Sequence, residues 1–435
     1  MVVTTSYRVD IMDRNRVFLS TLEVYRRAVD FLIDVCLSEW TEISGLEGQL
    51  RKVNHTEKLI HRTKKNPSPR YERFDDLFYK LPSYVRRSAI ADALGLVSSY
   101  KSKLRSDPKA KRPRAGNAYP CMYREGMYTR EGEYTARLKV FIRNTWDWIT
   151  VRLNKQDVDY LKRRFGRIED CAPYLVKHGR KFSLRFAFRE QAVLSDRPVF
   201  EKVAISVDLG INNACVISAM KADGTILGRH FLSLPGETDS LRKAIGRIKK
   251  AQKHGARRMP RLWAIAKGIN KDIAVKTAKF IVDTASRYDA DVIVFEYLDL
   301  GGKKRGSNKQ KLALWKALDV QNMVTVKAHV LGMRISRVNA WGTSKYAFDG
   351  SGIVTRGRGN YSMCTFASGK RYHADLSASY NIGARYFIRE ILKTLPERAR
   401  LALEAKVPQA AKRSTCTLST LISLYAALGA EAPGC

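Results

Sequence analysis

The sequence predicts a multidomain chain of mixed class, α+β in its first part and α/β in its second. Three observations predict it. Strand-like alternation over Val2–Asp10 gives way to helical periodicity from about Ser20 to Glu47 and again over Leu81–Leu104. From about Tyr119 to Phe188 the period becomes two. Beyond about Glu201 strands and helices alternate, and three of those segments carry a single carboxylate beside an apolar run.

In order along the chain, Leu22, Val24, Tyr25, Ala28, Phe31, Leu32, Val35 and Cys36 recur at helical spacing. Arg51 to Arg73 is polar and basic, a loop or an exposed helix. Pro82 and Ser83 open the next helix, which carries Arg86 and Arg87 and runs into Lys101, Lys103, Arg105, Lys109, Lys111, Arg112 and Arg114. The alternating stretches Tyr134–Phe141, Trp146–Leu153 and Phe182–Phe188 read as short strands of a small antiparallel barrel, with Trp146 and Trp148 as core. Val203–Met220 and Ile226–Leu234 read as a three-strand meander punctuated by Gly210 and Gly224. Helices follow over Asp239–Tyr288, then a buried strand at Asp291–Tyr297, a helix at Lys309–Gly332, a strand at Arg334–Ala340, a Gly-, Ser- and Thr-rich insertion at Trp341–Tyr372, and a helix at His373–Leu395. Three strands, helix, strand, helix, strand and final helix is the order of an RNase H-like domain.

With 79 Lys and Arg against 42 Asp and Glu, the formal net charge is +37. So basic a chain repels itself unless a polyanion neutralises it, and nucleic acid is the expected partner. The helical stretch Leu241–Lys253 bears Arg242, Lys243, Arg247, Lys249, Lys250 and Lys253 and is followed by Arg257 and Arg258, a composition suited to a heteroduplex or single-strand track. Seven scattered cysteines form no C-x-x-C pair. The opening residues mix charge with polarity, and the longest uncharged run, Ser414–Ala430, is too short and too hydroxylated for a membrane span. The expected setting is intracellular, with free thiols and no membrane partner.

The chemistry is expected at Asp208, Glu296 and Asp375. Asp208 lies in Val203-Ala-Ile-Ser-Val-Asp-Leu-Gly210, Glu296 ends Val292-Ile-Val-Phe-Glu, and Asp375 starts the last helix in His373-Ala-Asp. A carboxylate inside an apolar run is costly unless its charge is compensated, and a bound cation is one compensation. One such acid is as readily structural, at a strand end or a helix cap. Three in this order converge, because the first and fourth strands of such a fold are neighbours and the final helix crosses them. Clustered carboxylates with oxygen-only donors favour Mg²⁺ or Mn²⁺ over zinc. The expected chemistry is phosphodiester hydrolysis with two metals, Asp208 bridging and Glu296 and Asp375 each completing one side.

Ser206-Val-Asp-Leu-Gly-Ile-Asn212, Val294-Phe-Glu296 and His373-Ala-Asp375 with Asn381-Ile382 resemble the three RuvC motifs of TnpB, the RNA-guided nuclease family ancestral to compact type V CRISPR effectors. The resemblance is strong over residues 200–390 and extends more weakly to Phe78–Arg87 and Val97–Lys101. It implies a β-barrel wedge domain (residues 1–18 and 115–200) with an inserted helical recognition domain (19–114). A RuvC nuclease domain (201–340 and 373–395) would follow, with a ribbon-like target-loading insertion at 341–372; beyond the resemblance, amphipathic stretches such as Leu401-Ala-Leu-Glu-Ala make residues 396–435 a C-terminal helical tail. The resemblance implies a guide RNA, a double-stranded DNA target with an adjacent motif read by the protein, and a monomer or homodimer in a prokaryotic cytoplasm, associated with the nucleoid. Members of the family place two C-x-x-C pairs in the ribbon. Here the corresponding positions are Ala347, Gly350, Thr365 and Ser368, with only Cys364 nearby, so no zinc is expected and the ribbon is degenerate. A nuclease-silent RNA-guided repressor should have lost one of the acids, and a transposase or resolvase on the same fold should lack the basic N-terminal half.

Overall fold

The structure is a computed structural model that describes residues 1–13, 16–123, 125–166, 172–210, 214–298, 317–357, 362–412 and 414–429. Ile211 and Asn212 of the first motif, the part of the predicted helix before Ala317, and residues 430–435 of the tail lie outside the described residues. The chain forms two compact units, Thr4–Arg189 and Met1–Val3 with Glu190–Cys435.

In the first unit, β1 (Val2–Asp10) is followed by helices α1 (Val17–Ser38), α2 (Trp40–Ser44), α3 (Gln49–Ile60), α4 (Arg73–Leu77) and α5 (Ser83–Leu104). Then come β2 (Tyr128–Arg130), β3 (Thr135–Ile142), β4 (Thr145–Arg152), α6 (Lys155–Phe165), β5 (Tyr174–His178) and β6 (Lys181–Gln191). The strands form two three-stranded sheets, β1-β6-β5 and β2-β3-β4, joined by an isolated bridge between Ile11 and Leu153. One apolar core runs through helices and sheets alike, from Phe18, Leu32 and Val85 to Leu138, Leu184 and Phe186. Tyr25 of α1 ties the helices to one another, its hydroxyl 3.0 Å from Ser88 Oγ and 2.8 Å from Asp92 Oδ2 on α5.

Helix α6 falls in the stretch whose alternation predicts strands. It is short and polar, so propensity alone does not announce it. Its signals are local: Asn154 accepts from the Asp157 amide at 3.2 Å, and Gly166 ends it at φ +72°. Of the basic stretch Arg51–Arg73, the first part is helical, as the end of α3, because Val53, Thr56 and Ile60 are buried at helical spacing, and the helix stops at Ile60.

The second unit contains β7 (Val203–Asp208), β8 (Cys215–Lys221), β9 (Ile226–Leu232), α7 (Pro235–Lys253), α8 (Pro260–Arg287), β10 (Val292–Tyr297), α9 (Ala317–Val330) and β11 (Arg334–Asn339). It continues with β12 (Met363–Thr365), β13 (Arg371–His373), α10 (Ala374–Thr394), α11 (Glu397–Lys406), α12 (Pro408–Ala411) and α13 (Leu418–Gly429). Its five-stranded sheet runs β11-β10-β7-β8-β9. The meander β7-β8-β9 is antiparallel, as the sequence predicts, whereas β10 lies parallel to both β7 and β11. Val292 stands opposite Ala204 and Val294 opposite Ser206.

Period two then sorts the side chains. Ile205, Val207, Ile293 and Phe295 face α8 and α9 through Ala278, Ile281 and Val324. Ala204, Val216, Val292 and Val294 face the other way, against Tyr380, Phe387 and Ile391 of α10. Leu403, Leu421 and Leu424 join that second core, so the tail helices α11 and α13 belong to it. Gly383 lets α10 lie close on the sheet: a Cβ there would stand 2.9 Å from Ser206 Oγ and 3.1 Å from Met220 Sδ.

The insertion between β11 and α10 keeps a small core of its own. The hairpin β12-β13 carries Cys364 and Phe366, which pack with Ala347, Phe348 and Tyr372. Phe348 meets Phe366, Tyr372 and Tyr380 edge-on at centroid distances of 5.4, 4.9 and 5.1 Å, and Lys370 Nζ sits 4.9 Å above its ring. Of the positions corresponding to ribbon cysteines, Ala347 is buried in this core and Ser368 donates to Asp349 Oδ2 at 3.2 Å. No described helix is long and apolar enough to cross a membrane.

Candidate metal centre

Asp208 is the last residue of β7 and Glu296 the next-to-last of β10. Both continue the alternation of Ala204–Ser206 and Val292–Val294, so both point to the face covered by α10. Asp375 lies in the first turn of that helix. The fold therefore turns three acids far apart in sequence toward one face of one sheet.

Their electrostatics are those of a crowded anionic site. Burial holds the Asp208 carboxyl well above the usual carboxylate range, and Glu296 and Asp375 push it further; only Arg356 pulls it back. Burial also raises Glu296, against the hydrogen bond from Thr343 and the charge of Arg385. Asp291, at the start of the same strand segment, shows what a structural acid looks like here. It is 2% exposed, yet it accepts from Ser195 Oγ at 2.5 Å and from the Val203 amide at 2.9 Å.

A polar frame surrounds Glu296. The Thr343 hydroxyl donates to Glu296 Oε1, and the Gln321 amide donates to the Glu296 main-chain oxygen at 3.0 Å. Gln321 Oε1 in turn accepts from Arg337 Nε at 3.0 Å. None of Thr343, Gln321, Arg356 and Arg385 is among the candidate site residues read from the sequence, where Thr343 with Ser344 only aligns the ribbon positions. Thr343 and Gln321 resemble any turn threonine or helix glutamine, and Arg356 and Arg385 are two cations in a basic chain. Only long-range contacts give them their place.

Among the described residues, no three His, Cys, Asp or Glu side chains stand close enough together to hold one ion between them. The donor set nevertheless fits divalent cations. All its atoms are hard oxygens, and burial with mutual repulsion makes cation binding the favourable relief. Mg²⁺ takes one or two carboxylates and fills its shell with water and phosphate oxygens, so three acids on one ion are not required.

The basic residues fall into two groups. Arg242, Lys243, Arg247, Lys249, Lys250 and Lys253 on α7, with Arg257 and Arg258 beyond it, are all exposed, because Leu241, Ala244 and Ile248 turn the opposite stripe onto Ala266 of α8. Lys101 is half-buried and Lys103 exposed at the end of α5. Arg86 is different: it is 8% exposed, and its Nε donates to Glu57 Oε1 at 2.9 Å. Arg87 donates to the other oxygen of Glu57 at 2.5 Å. Both guanidinium groups at the start of α5 are thus engaged within the fold, and Arg86 is an internal cation rather than a surface one.

A family model described as the Aq_aa04 family matches residues 4–142. No curated protein sequence matches the chain. Among solved structures, the chain is similar to Cas12f1 in its complex with sgRNA and target DNA, with 14% sequence identity and a TM-score of 0.52, over 84% of this chain and 81% of that one. It is similar also to the mini-RNA-guided endonuclease CRISPR-Cas_phi3, with 10% identity and a TM-score of 0.52, over 87% of this chain and 92% of that one. At these identities the likeness is one of fold: a mixed α/β multidomain chain built like those effectors.

Proposed function

We propose that the chain is an RNA-guided DNA endonuclease of the kind found in TnpB and the compact type V effectors. Asp208, Glu296 and Asp375 would form its RuvC-type centre and hold Mg²⁺ or Mn²⁺. The observation that carries this reading is the convergence of three acids on one sheet face, with Asp208 held well above the usual carboxylate range by burial and by the other two. The fold likeness to a guide-RNA- and DNA-bound effector and to a mini-RNA-guided endonuclease supports the substrate class. So does the net charge of +37. In this reading the strands and helices of the first unit act as wedge and recognition domains for guide RNA and heteroduplex. The exposed cations of α7 follow the phosphate backbone, and the 341–372 insertion loads the target.

Asp208, Glu296 and Asp375 would together hold the cations. Such cations, when bound, supply the activation of the attacking water and the stabilisation of the leaving 3′ oxygen. The half-buried setting lowers the effective dielectric, which strengthens each charge interaction with the substrate phosphate. Arg356, whose charge favours the ionised form of Asp208, would add positive charge for a substrate phosphate.

Two assays test the proposal. RNA co-purified with the protein should be a defined species rather than a bulk mixture. The wild-type complex should cut a DNA matching that guide, whereas Asp208→Ala should abolish cutting and leave RNA and DNA binding intact. Retained cleavage by Asp208→Ala removes the acid centre from the reading.

A further inference from the structure

We propose that Thr343 is a positioning residue that aims the Glu296 carboxylate, and that Asn381 and Arg385 of α10 mount it by pinning the turn that bears it. The inference deepens the nuclease reading above and rests on it.

Thr343 is 3% exposed, and its hydroxyl has two acceptors in reach, Glu296 Oε1 and the Ala340 carbonyl at 3.0 Å. A hydroxyl has one proton, and a carboxylate is the stronger acceptor, so the ionised form of Glu296 takes it. That bond fixes one carboxylate oxygen and leaves the other with a defined direction. The turn is itself held. Asn381, fully buried, donates both amide hydrogens, to Thr343 O at 3.0 Å and to Tyr346 O at 2.9 Å. Its own oxygen accepts from the Leu418 amide at 3.2 Å.

Arg385 lies one turn further along the same face of the helix. Its guanidinium, 5% exposed, donates to Asn339 O at 2.8 Å and Trp341 O at 2.9 Å on the chain leading into Thr343. It donates also to Ser414 O at 2.5 Å and Cys416 O at 3.2 Å on the C-terminal segment. Ser419 completes the brace from its amide to Phe348 O at 2.9 Å. The C-terminal segment thus presses on the turn from behind through two saturated side chains. Groups that orient a metal-binding side chain set its affinity for the ion, and losing one typically weakens binding about 10–100-fold.

The test uses the full-length protein stripped with EDTA and titrated with Mn²⁺, free ion being followed by electron paramagnetic resonance. Thr343→Val keeps shape and removes the donor, and Thr343→Ser keeps the donor. Arg385→Lys keeps the charge and loses the planar fork. The expected result is Mn²⁺ binding weakened about 10–100-fold in Thr343→Val and in Arg385→Lys. Thr343→Ser should bind like wild type, and the Tm of metal-free Thr343→Val should be unchanged. The inference is overturned if Thr343→Val binds Mn²⁺ as wild type does, or if Thr343→Ser weakens binding as much as Val. It is also overturned if the weakening comes with an equal loss in Tm, which makes Thr343 merely structural. Asp208→Ala, run alongside, separates the two readings: if it leaves Mn²⁺ binding untouched, the acid centre fails, whatever Thr343 does.

Discussion

Asp208 carries its charge in a place that resists it. A carboxyl whose pKa is raised on folding binds its proton more tightly in the folded chain than in the unfolded one. Stability therefore falls as pH climbs from the ordinary carboxylate range through the raised value, and the full penalty is present above it. Glu296, raised by burial, adds to the same trend. Asp208→Asn should accordingly raise the Tm of the EDTA-stripped protein near pH 8 and lose that advantage once the pH drops below the ordinary carboxylate range. Divalent cation should reverse the ranking. A ligand at about 100 times its Kd adds about 2.7 kcal/mol to the state that binds it, and the Asn variant has surrendered a ligand. Scanning calorimetry at several pH values, with and without Mn²⁺, reads both effects; a Tm gain independent of pH means that Asp208 is not the strained group described here.

At the scale of elements, the tail is part of the second core. Leu421 and Leu424 of α13 are fully buried with Phe387 and Ile391 of α10, the helix that carries Asp375. Leu421→Ala should cost about 2–5 kcal/mol in denaturant unfolding of the second unit. Leu401, exposed on α11, should change stability by no more than about 0.5 kcal/mol when truncated in the same way. Similar losses at both positions would mean that α13 is not packed as described. The tail's amphipathic stretches were visible in the sequence, but its place was not, because Asn381, Arg385 and Phe348 hold it through contacts that cross tens of residues. Elements with a clean period were legible: the β7-β8-β9 meander, β10, β11 and α10 fall where alternation or helical spacing put them. The three acids were legible for a related reason, since a charge in an apolar run breaks the pattern. Thr343 and Gln321 break no pattern, and α6 hides its start in one capping asparagine. Arg86 and Lys249 look alike as letters; only burial and Glu57 distinguish them.

For the molecule as a whole, the excess of positive charge is useful only where it is exposed. On α7 the helical period separates Leu241, Ala244 and Ile248 from the cations, so the basic residues form an outer stripe, with Asp239 beside Arg242 at 3.0 Å. Counterion release makes such a stripe measurable. Each phosphate contact contributes about 0.9 to the slope of log K against log salt for duplex DNA and about 0.7 for a single strand. Replacing Lys249, Lys250 and Lys253 together by Gln should therefore flatten the slope by about 2–3 and weaken binding evenly across target sequences. The helix should survive, since none of the three side chains enters the core that Ile248 and Ala266 share. Filter binding of guide-loaded protein to matched and mismatched DNA over a salt series gives both quantities. An unchanged slope takes α7 out of the nucleic-acid track, and a flattened slope with altered preference among targets makes it a reader of sequence instead of a guide for the backbone.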